Sequence, residues 1–375
     1  MGELNMTEMM NWQKMLQQSY RSCEQMTDLF AFSEEEVQSL KEIEERYPVC
    51  VNPYYFGLID LEDKEDPIRK MSIPNGVEFS PGGEEDTSGE AENTVIPGMQ
   101  HKYRQTALIL STNQCAMYCR HCFRKRLVGS SEAEIASQKD AMVSYVKEHT
   151  EITNLLISGG DAFLCSNQLL EEYIQAFCEI EHIDYIRLGT RIPVVLPQRI
   201  IEDLELQQIL KKYASKKTLF IITQFNHPRE LTGEARKGIR ILRECGCIVR
   251  NQAVLLRGVN DEAKILGDLM NGLIRMGVIP YYIFQCRPVI GVKNQFQVPI
   301  EEGIQIIDQA KHLMSGQSKG LRYCLSHPDG KIEIIGKDDS DRVIFKFHQA
   351  KRDEDSGRIF AQKMSKNQSW ITDIK

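Results

Sequence analysis

The sequence predicts an α/β fold: a partial (β/α)6 barrel with an N-terminal helical extension and a C-terminal β-hairpin appendage. Three observations point there. Short apolar runs alternate with helical patterns across residues 101–316, helical spacing without strand-like runs fills residues 1–100, and strand-like segments joined by turn residues fill residues 317–375.

In the extension, Met9 to Met26 and Ser33 to Arg46 carry apolar residues at helical spacing, and Ser33 with Glu36 resembles a capping box. The stretch from Pro81 to Asn93 is rich in Gly, Ser and acid, contains no Lys or Arg, and reads as a solvated loop. The barrel strands are expected at Ala107–Leu110, Leu155–Ser158, Tyr185–Leu188, Leu219–Thr223, Ile248–Leu256 and Pro280–Gln285. Between them, helices are expected at Lys139–Glu148, Asn167–Ile180, Gln198–Tyr213, Thr232–Cys245 and Asp261–Met276, with Glu301–Met314 after the last. Alternating strand and helix implies a parallel sheet with right-handed crossovers. Periodicity leaves a doubly wound sheet open as the alternative. Arg322–Ser326, Lys331–Ile335 and Arg342–Phe347 read as the appendage, and the polar tail from Lys351 as surface.

At 375 residues and 42% hydrophobic content the chain can bury a sizeable core. A net charge of -7 argues against a nucleic-acid-binding face. Met1–Thr7 has no basic stretch leading into an apolar run, and Met6 stands where a myristoylation signal has Ser or Thr. No window holds about 18 uncharged apolar residues. A cytoplasmic protein without membrane contact is the expectation. Its eleven cysteines then suit a reducing compartment, most of them as small core residues.

Three cysteines depart from that background: Cys115, Cys119 and Cys122, directly after the first barrel strand. Thiolates ligate iron–sulfur clusters, usually four at a time. Three on one loop would hold a [4Fe–4S] cluster and leave one iron for the amino and carboxylate groups of S-adenosylmethionine, whose reductive cleavage gives a 5′-deoxyadenosyl radical. Structural zinc is a weaker reading, because it needs four ligands and His121 is adjacent to Cys122. An electron-transfer cluster would need a distant fourth cysteine such as Cys286 or Cys324. The second strand ends in Ser158-Gly159-Gly160-Asp161, where glycines let the backbone approach a ligand at the strand ends. Radical S-adenosylmethionine enzymes use such a segment for the cofactor's amino group.

The chain resembles the lysine 2,3-aminomutase family within that superfamily. The likeness is carried by Cys115–Arg126, Ile157–Asp161, Gly189–Arg199, Gln224–Pro228, Asn251–Asn260 and Pro280–Cys286, and upstream by Asn52–Tyr55 and Asp66–Lys70. It implies an isomerase that moves an amino group between α and β carbons of an amino acid, using pyridoxal 5′-phosphate as well. Residue by residue, it implies Arg124 for the substrate α-carboxylate, Tyr103 and Arg191 around pyridoxal phosphate, and Gln224, Asn251 and Gln252 along S-adenosylmethionine. Lys331 is the nearest match to the lysine that holds pyridoxal phosphate, although the family's glycine run is absent and Asp329-Gly330 also reads as a hairpin turn. An electron donor such as flavodoxin or ferredoxin is implied too; the number of subunits is left open.

The departures bear on substrate. Two basic family positions are Lys102 and Thr106 here, and the cysteine-rich zinc segment that ends some members is not found. The acidic pair that holds a lysine ammonium is replaced by Arg287 and Ser326, which points to an acidic substrate. Two other readings stay open: a radical enzyme without pyridoxal phosphate that acts on a peptide or other substrate, and a non-catalytic iron–sulfur electron carrier.

Overall fold

The computed structural model describes residues 10–129, 134–372 and 374. The Met1–Thr7 signal reading and Met9 lie outside the described residues.

Twelve strands form one sheet in strict chain order. They are β1 (Thr94–Ile96), β2 (Met99–Tyr103), β3 (Thr106–Thr112), β4 (Asn154–Gly159), β5 (Tyr185–Gly189), β6 (Thr218–Thr223), β7 (Ile248–Leu255), β8 (Ile279–Gln285), β9 (Arg322–His327), β10 (Gly330–Lys337), β11 (Val343–Ala350) and β12 (Ile359–Gln362). Strands β3 to β9 are parallel, while β1–β3 and β9–β12 pair antiparallel. A doubly wound sheet reverses its strand order at a switch point. This one does not, and crossovers of one hand then put the helices between parallel strands on one face. Residues on the other face alternate toward a common interior, which is why Arg187, Gln252 and Phe284 meet although they come from three separate strands.

The expected helices form with small shifts. Lys139–Glu148 is as expected, and Ser33 caps Glu34–Arg46 in a complete capping box with Glu36. Gln198–Tyr213 is instead two helices, Gln198–Glu202 and Leu204–Ala214. Asp203 divides them because its carboxylate accepts from the Leu206 amide (2.8 Å) and pairs with buried Arg199. Met9 to Met26 is likewise not one helix. Asn11–Gln17 ends before Tyr20, whose backbone pairs with Val51 (2.9 and 3.0 Å), and a 3-10 turn follows at Glu24–Met26.

Two further expectations are corrected. The supposed loop from Pro81 to Asn93 is a packed strap. Glu84 bridges to the backbone beside Val289, Gly89 takes a positive φ to start a short helix, and Glu90 and Asn93 are buried. Glu85, Glu90 and Glu92 find basic partners from elsewhere in the chain, so the segment is anchored although Glu84, Glu85 and Glu92 stay exposed. The C-terminal region is not a free hairpin but a continuation of the sheet, since β9 lies parallel to β8. The tail also adds β12 and buries Ile371, while Trp370 stacks on His327. Among the described residues no helix is long and apolar enough to cross a membrane.

Removing the Asp203 carboxylate strips a helix of its cap and leaves Arg199 without its ion pair. Asp203→Ala should therefore lower unfolding free energy by roughly 3–5 kcal/mol in urea titrations, with Asp203→Asn losing less because it keeps the cap.

Candidate active site

A cavity of roughly 370 Å³ opens where the parallel strands end, within the range of small-ligand sites. Cys115, Cys119 and Cys122 all line it. Their loop leaves β3 and is gripped from outside by the N-terminal extension. Arg120 donates to both carboxylate oxygens of buried Glu78 (2.8 and 2.5 Å), and Lys125 donates to one of them (2.5 Å). The amide of Tyr118 donates to the Cys50 carbonyl (3.1 Å), and that of Arg120 to the Met71 carbonyl (2.8 Å). Burial alone would raise the Glu78 pKa, but Arg120 and Lys125 outweigh it and hold it below the usual carboxylate range. Burial also lifts the Cys115 thiol well up and that of Cys122 to about 11, with the neighbouring cysteines adding to both. A bound metal would have to displace those protons.

Ser158, Gly159, Gly160 and Asp161 lie along the same wall. The amides of Gly160 and Asp161 donate to the carbonyls of Thr112 (2.6 Å) and Gln114 (2.8 Å), and a methyl at either glycine would overlap that backbone. The Asp161 carboxylate is occupied by the Thr190 hydroxyl (2.6 Å) and the amides of Arg191 (2.7 Å) and Phe163 (3.0 Å). The segment therefore locks β4 and the Thr190–Arg191 turn onto the start of the cysteine loop.

Gln224 and Gln252 line the cavity. Asn251 is different: it is fully buried, is not among the lining residues, and spends its amide on the Phe225 backbone (2.7 and 3.1 Å). Arg191 lines the cavity on the cluster side. Its guanidinium pairs with buried Glu230 (2.5 Å) and donates to Cys119 Sγ (2.9 Å), the Gln224 carbonyl (3.1 Å) and the Tyr55 hydroxyl (3.2 Å). Its fork is thus engaged on the side of the cavity that carries Cys119.

The rest of the lining carries five cations, with Glu90 among them. Arg124 Nε donates to Glu90 of the strap (2.7 Å). Arg287 donates to the hydroxyls of Ser88 and Ser326 (2.6 Å to the latter) and stands over the Phe123 ring (4.2 Å). Burial pulls its pKa down to about 10. Lys331 does face the cavity from β10; its Nζ donates to Gln349 Oε1 (3.2 Å) and lies over Tyr282 (4.5 Å). Burial, then the charge of Arg187, bring it down to about 8. Lys102 donates to the His327 carbonyl (2.6 Å), and burial brings it to about 7. Tyr103 lines the same end, its phenol pushed up to about 12 by burial.

Sequence reasoning missed Glu78, Glu90, Arg187 and Glu230. Arg187 alone left a signal, a permanent charge in the middle of an otherwise apolar strand. The thiols, the enclosed amine and the unpaired cations are the donors that a cluster and an anionic, aldehyde-bearing cofactor require, so the residues fit both groups.

Three cysteines on one loop at the ends of parallel strands is the arrangement of the radical S-adenosylmethionine class. No family model matches the chain. It is 37% identical over 342 residues to an Aquifex aeolicus protein provisionally named L-lysine 2,3-aminomutase, covering 91% of each. It is 37% identical over 318 residues to the L-lysine 2,3-aminomutase of Acetoanaerobium sticklandii, covering 84% of this chain and 74% of that one. It is 34% identical over 322 residues to the glutamate 2,3-aminomutase of Clostridioides difficile, covering 85% and 75%. The chain belongs to the lysine 2,3-aminomutase family. It is thus an enzyme, an isomerase that moves an amino group, which sets aside the electron-carrier reading.

A lysine whose folded pKa is depressed binds fewer protons folded than unfolded, so stability is lowest below the folded value and rises with pH up to the unfolded value near 10.4. The Lys331 contribution is isolated by comparing variants in urea titrations of the protein free of bound cofactor, because the buried thiols oppose it above about pH 8.5. Lys331→Met should be more stable than wild type at pH 7, and that difference should shrink as pH rises toward 10.

Proposed function

We propose that this aminomutase uses a [4Fe–4S] cluster, S-adenosylmethionine and pyridoxal 5′-phosphate, and takes an acidic α-amino acid rather than lysine. The observation that carries the substrate reading is Arg287. Its guanidinium faces Ser326 and Ser88 in the cavity; Glu90 is the acid that acts on it most but is bonded to Arg124 and Arg126, and among the described residues no carboxylate forms an ion pair with Arg287. A lysine ammonium there would meet like charge, whereas a side-chain carboxylate would supply the missing partner. That one relative is named a glutamate 2,3-aminomutase supports the same reading.

When bound, the cluster with S-adenosylmethionine supplies a radical that removes a β-hydrogen, and pyridoxal phosphate supplies the carbonyl that carries the migrating amine. The chain does the rest. Cys115, Cys119 and Cys122 would hold the cluster, and Arg191 steadies Cys119 through its 2.9 Å contact. The backbone of Ser158–Asp161, with Gln224 and Gln252, lines the space for S-adenosylmethionine, and Asn251 fixes that wall from behind. Lys331 is the attachment point for pyridoxal phosphate, its neutral amine accessible near physiological pH because burial lowers its pKa. Arg124 keeps fork positions beyond the Nε bonded to Glu90 and offers them to the α-carboxylate. Arg287 and Ser326 take the side-chain carboxylate. A flavodoxin or ferredoxin would deliver the electron.

Replacing Cys115, Cys119 or Cys122 with Ala should abolish formation of 5′-deoxyadenosine from S-adenosylmethionine under anaerobic reduction, while Cys178→Ala leaves it near wild type. Full cleavage by Cys119→Ala would end the cluster assignment.

The substrate reading is checked by offering glutamate and lysine together and following β-amino products by mass spectrometry. Wild type should convert glutamate, and Arg287→Asp should lose that turnover by about tenfold or more. Preference of the wild type for lysine would refute it.

A further inference from the structure

We propose that Arg187 anchors the phosphate group of the pyridoxal cofactor, beside the place where Thr106 replaces a basic family residue. The inference rests on the reading that the chain binds pyridoxal phosphate.

Arg187 is the central residue of β5, and its side chain lines the cavity. Its Nη2 donates to Asn154 Oδ1 (2.7 Å), and the Thr106 hydroxyl donates to the same oxygen (3.1 Å). The guanidinium therefore sits next to Thr106, where the cationic position of the family pattern has been lost. Asn154 is itself fixed, since its Nδ2 donates to the Gln105 carbonyl (2.8 Å). A neutral amide can orient the arginine but cannot neutralise it.

The fork's Nε is unsatisfied. Arg187 Nε is buried without a hydrogen-bond partner, and among the described residues no carboxylate forms an ion pair with Arg187. An enclosed, permanently charged guanidinium is strongly unfavourable unless an anion completes it. Lys331 feels the same field, for Arg187 is the charge that acts on it most. One ligand bearing both an aldehyde and a doubly charged phosphate satisfies the pair, bonding to Lys331 through the first and to Arg187 through the second. The two substrate carboxylates already have Arg124 and Arg287, and the Lys102 ammonium is held by the carbonyls of His327 and Ser88. Arg187 is left for a third anionic group.

The test compares pyridoxal phosphate with pyridoxal, which has the aldehyde and lacks the phosphate. Cluster-loaded protein freed of pyridoxal compounds is titrated anaerobically with each, and binding is read from the absorbance of the bound chromophore. In wild type the phosphorylated form should bind at least about 100-fold more tightly. In Arg187→Gln that preference should fall by about 10- to 100-fold, since the loss of Arg187's field on Lys331 weakens both ligands alike and cancels from the ratio, and Arg187→Lys should recover part of it. Inorganic phosphate should compete with pyridoxal phosphate in wild type and much less in Arg187→Gln. An unchanged preference in Arg187→Gln overturns the inference while leaving the cofactor reading intact. Equal weakening of both ligands, or a loss of cluster absorbance and melting temperature in both variants, assigns Arg187 a structural role and overturns it too. Failure of wild type to bind pyridoxal phosphate defeats the cofactor reading and this inference together.

Discussion

Glu78 is a fully buried carboxylate whose two oxygens take an arginine and a lysine from the loop that carries the three cysteines. A buried charge of this kind is tolerated only when its partners are fixed, and losing one partner leaves the other uncompensated. The loop cannot shift without breaking the group. Because Glu78 belongs to the N-terminal extension, that extension is part of the site's framework and not an ornament on the sheet. Met71 and Cys50 reinforce it through backbone hydrogen bonds to the same loop.

From that anchored loop the rest of the cavity follows. Gly159 and Gly160 press against the backbone at its start, Asp161 ties the Thr190–Arg191 turn to it, and Arg191 reaches back to Cys119 with Glu230 behind it. This end is closely compensated, with Arg191 paired to an acid. The other end is not. Arg287, Arg187, Lys331 and Lys102 face the cavity with hydroxyls, amides and carbonyls as partners, and none has an ion pair with a described carboxylate. The two ends differ in the charge they ask of a ligand, and that difference supports anionic groups at the far end.

The strap from residue 81 to residue 93 shows how charge misleads when read locally. Its composition is that of a solvated loop, yet Glu90 is buried between Arg124 (2.7 Å) and Arg126 (2.9 Å). Burial of Glu90 works against its charge, and the arginines overcome this and hold its pKa below the usual carboxylate range. The partners lie more than thirty residues away, so no window of sequence contains the pair. The same holds for the tail, whose polar composition hides Ile371 and the Trp370 ring on His327.

Sequence by itself determined six of the seven strands of the parallel sheet, the helices between them, the cysteine triplet and the family, because periodicity, capping and ligand spacing are local properties. It also placed Lys331 and Arg287 as residues to examine. It did not separate Asn251, which braces Phe225, from Gln252, which lines the cavity, since both are amides on one strand and differ only in which way the pleat turns them. It ran one helix through Asp203, where a buried arginine made a break the better arrangement. Tertiary structure decided which charges are paired. Coulomb energy depends on distance and enclosure, and the residues that set both for Arg191, Arg187 and Arg287 come from distant parts of the chain.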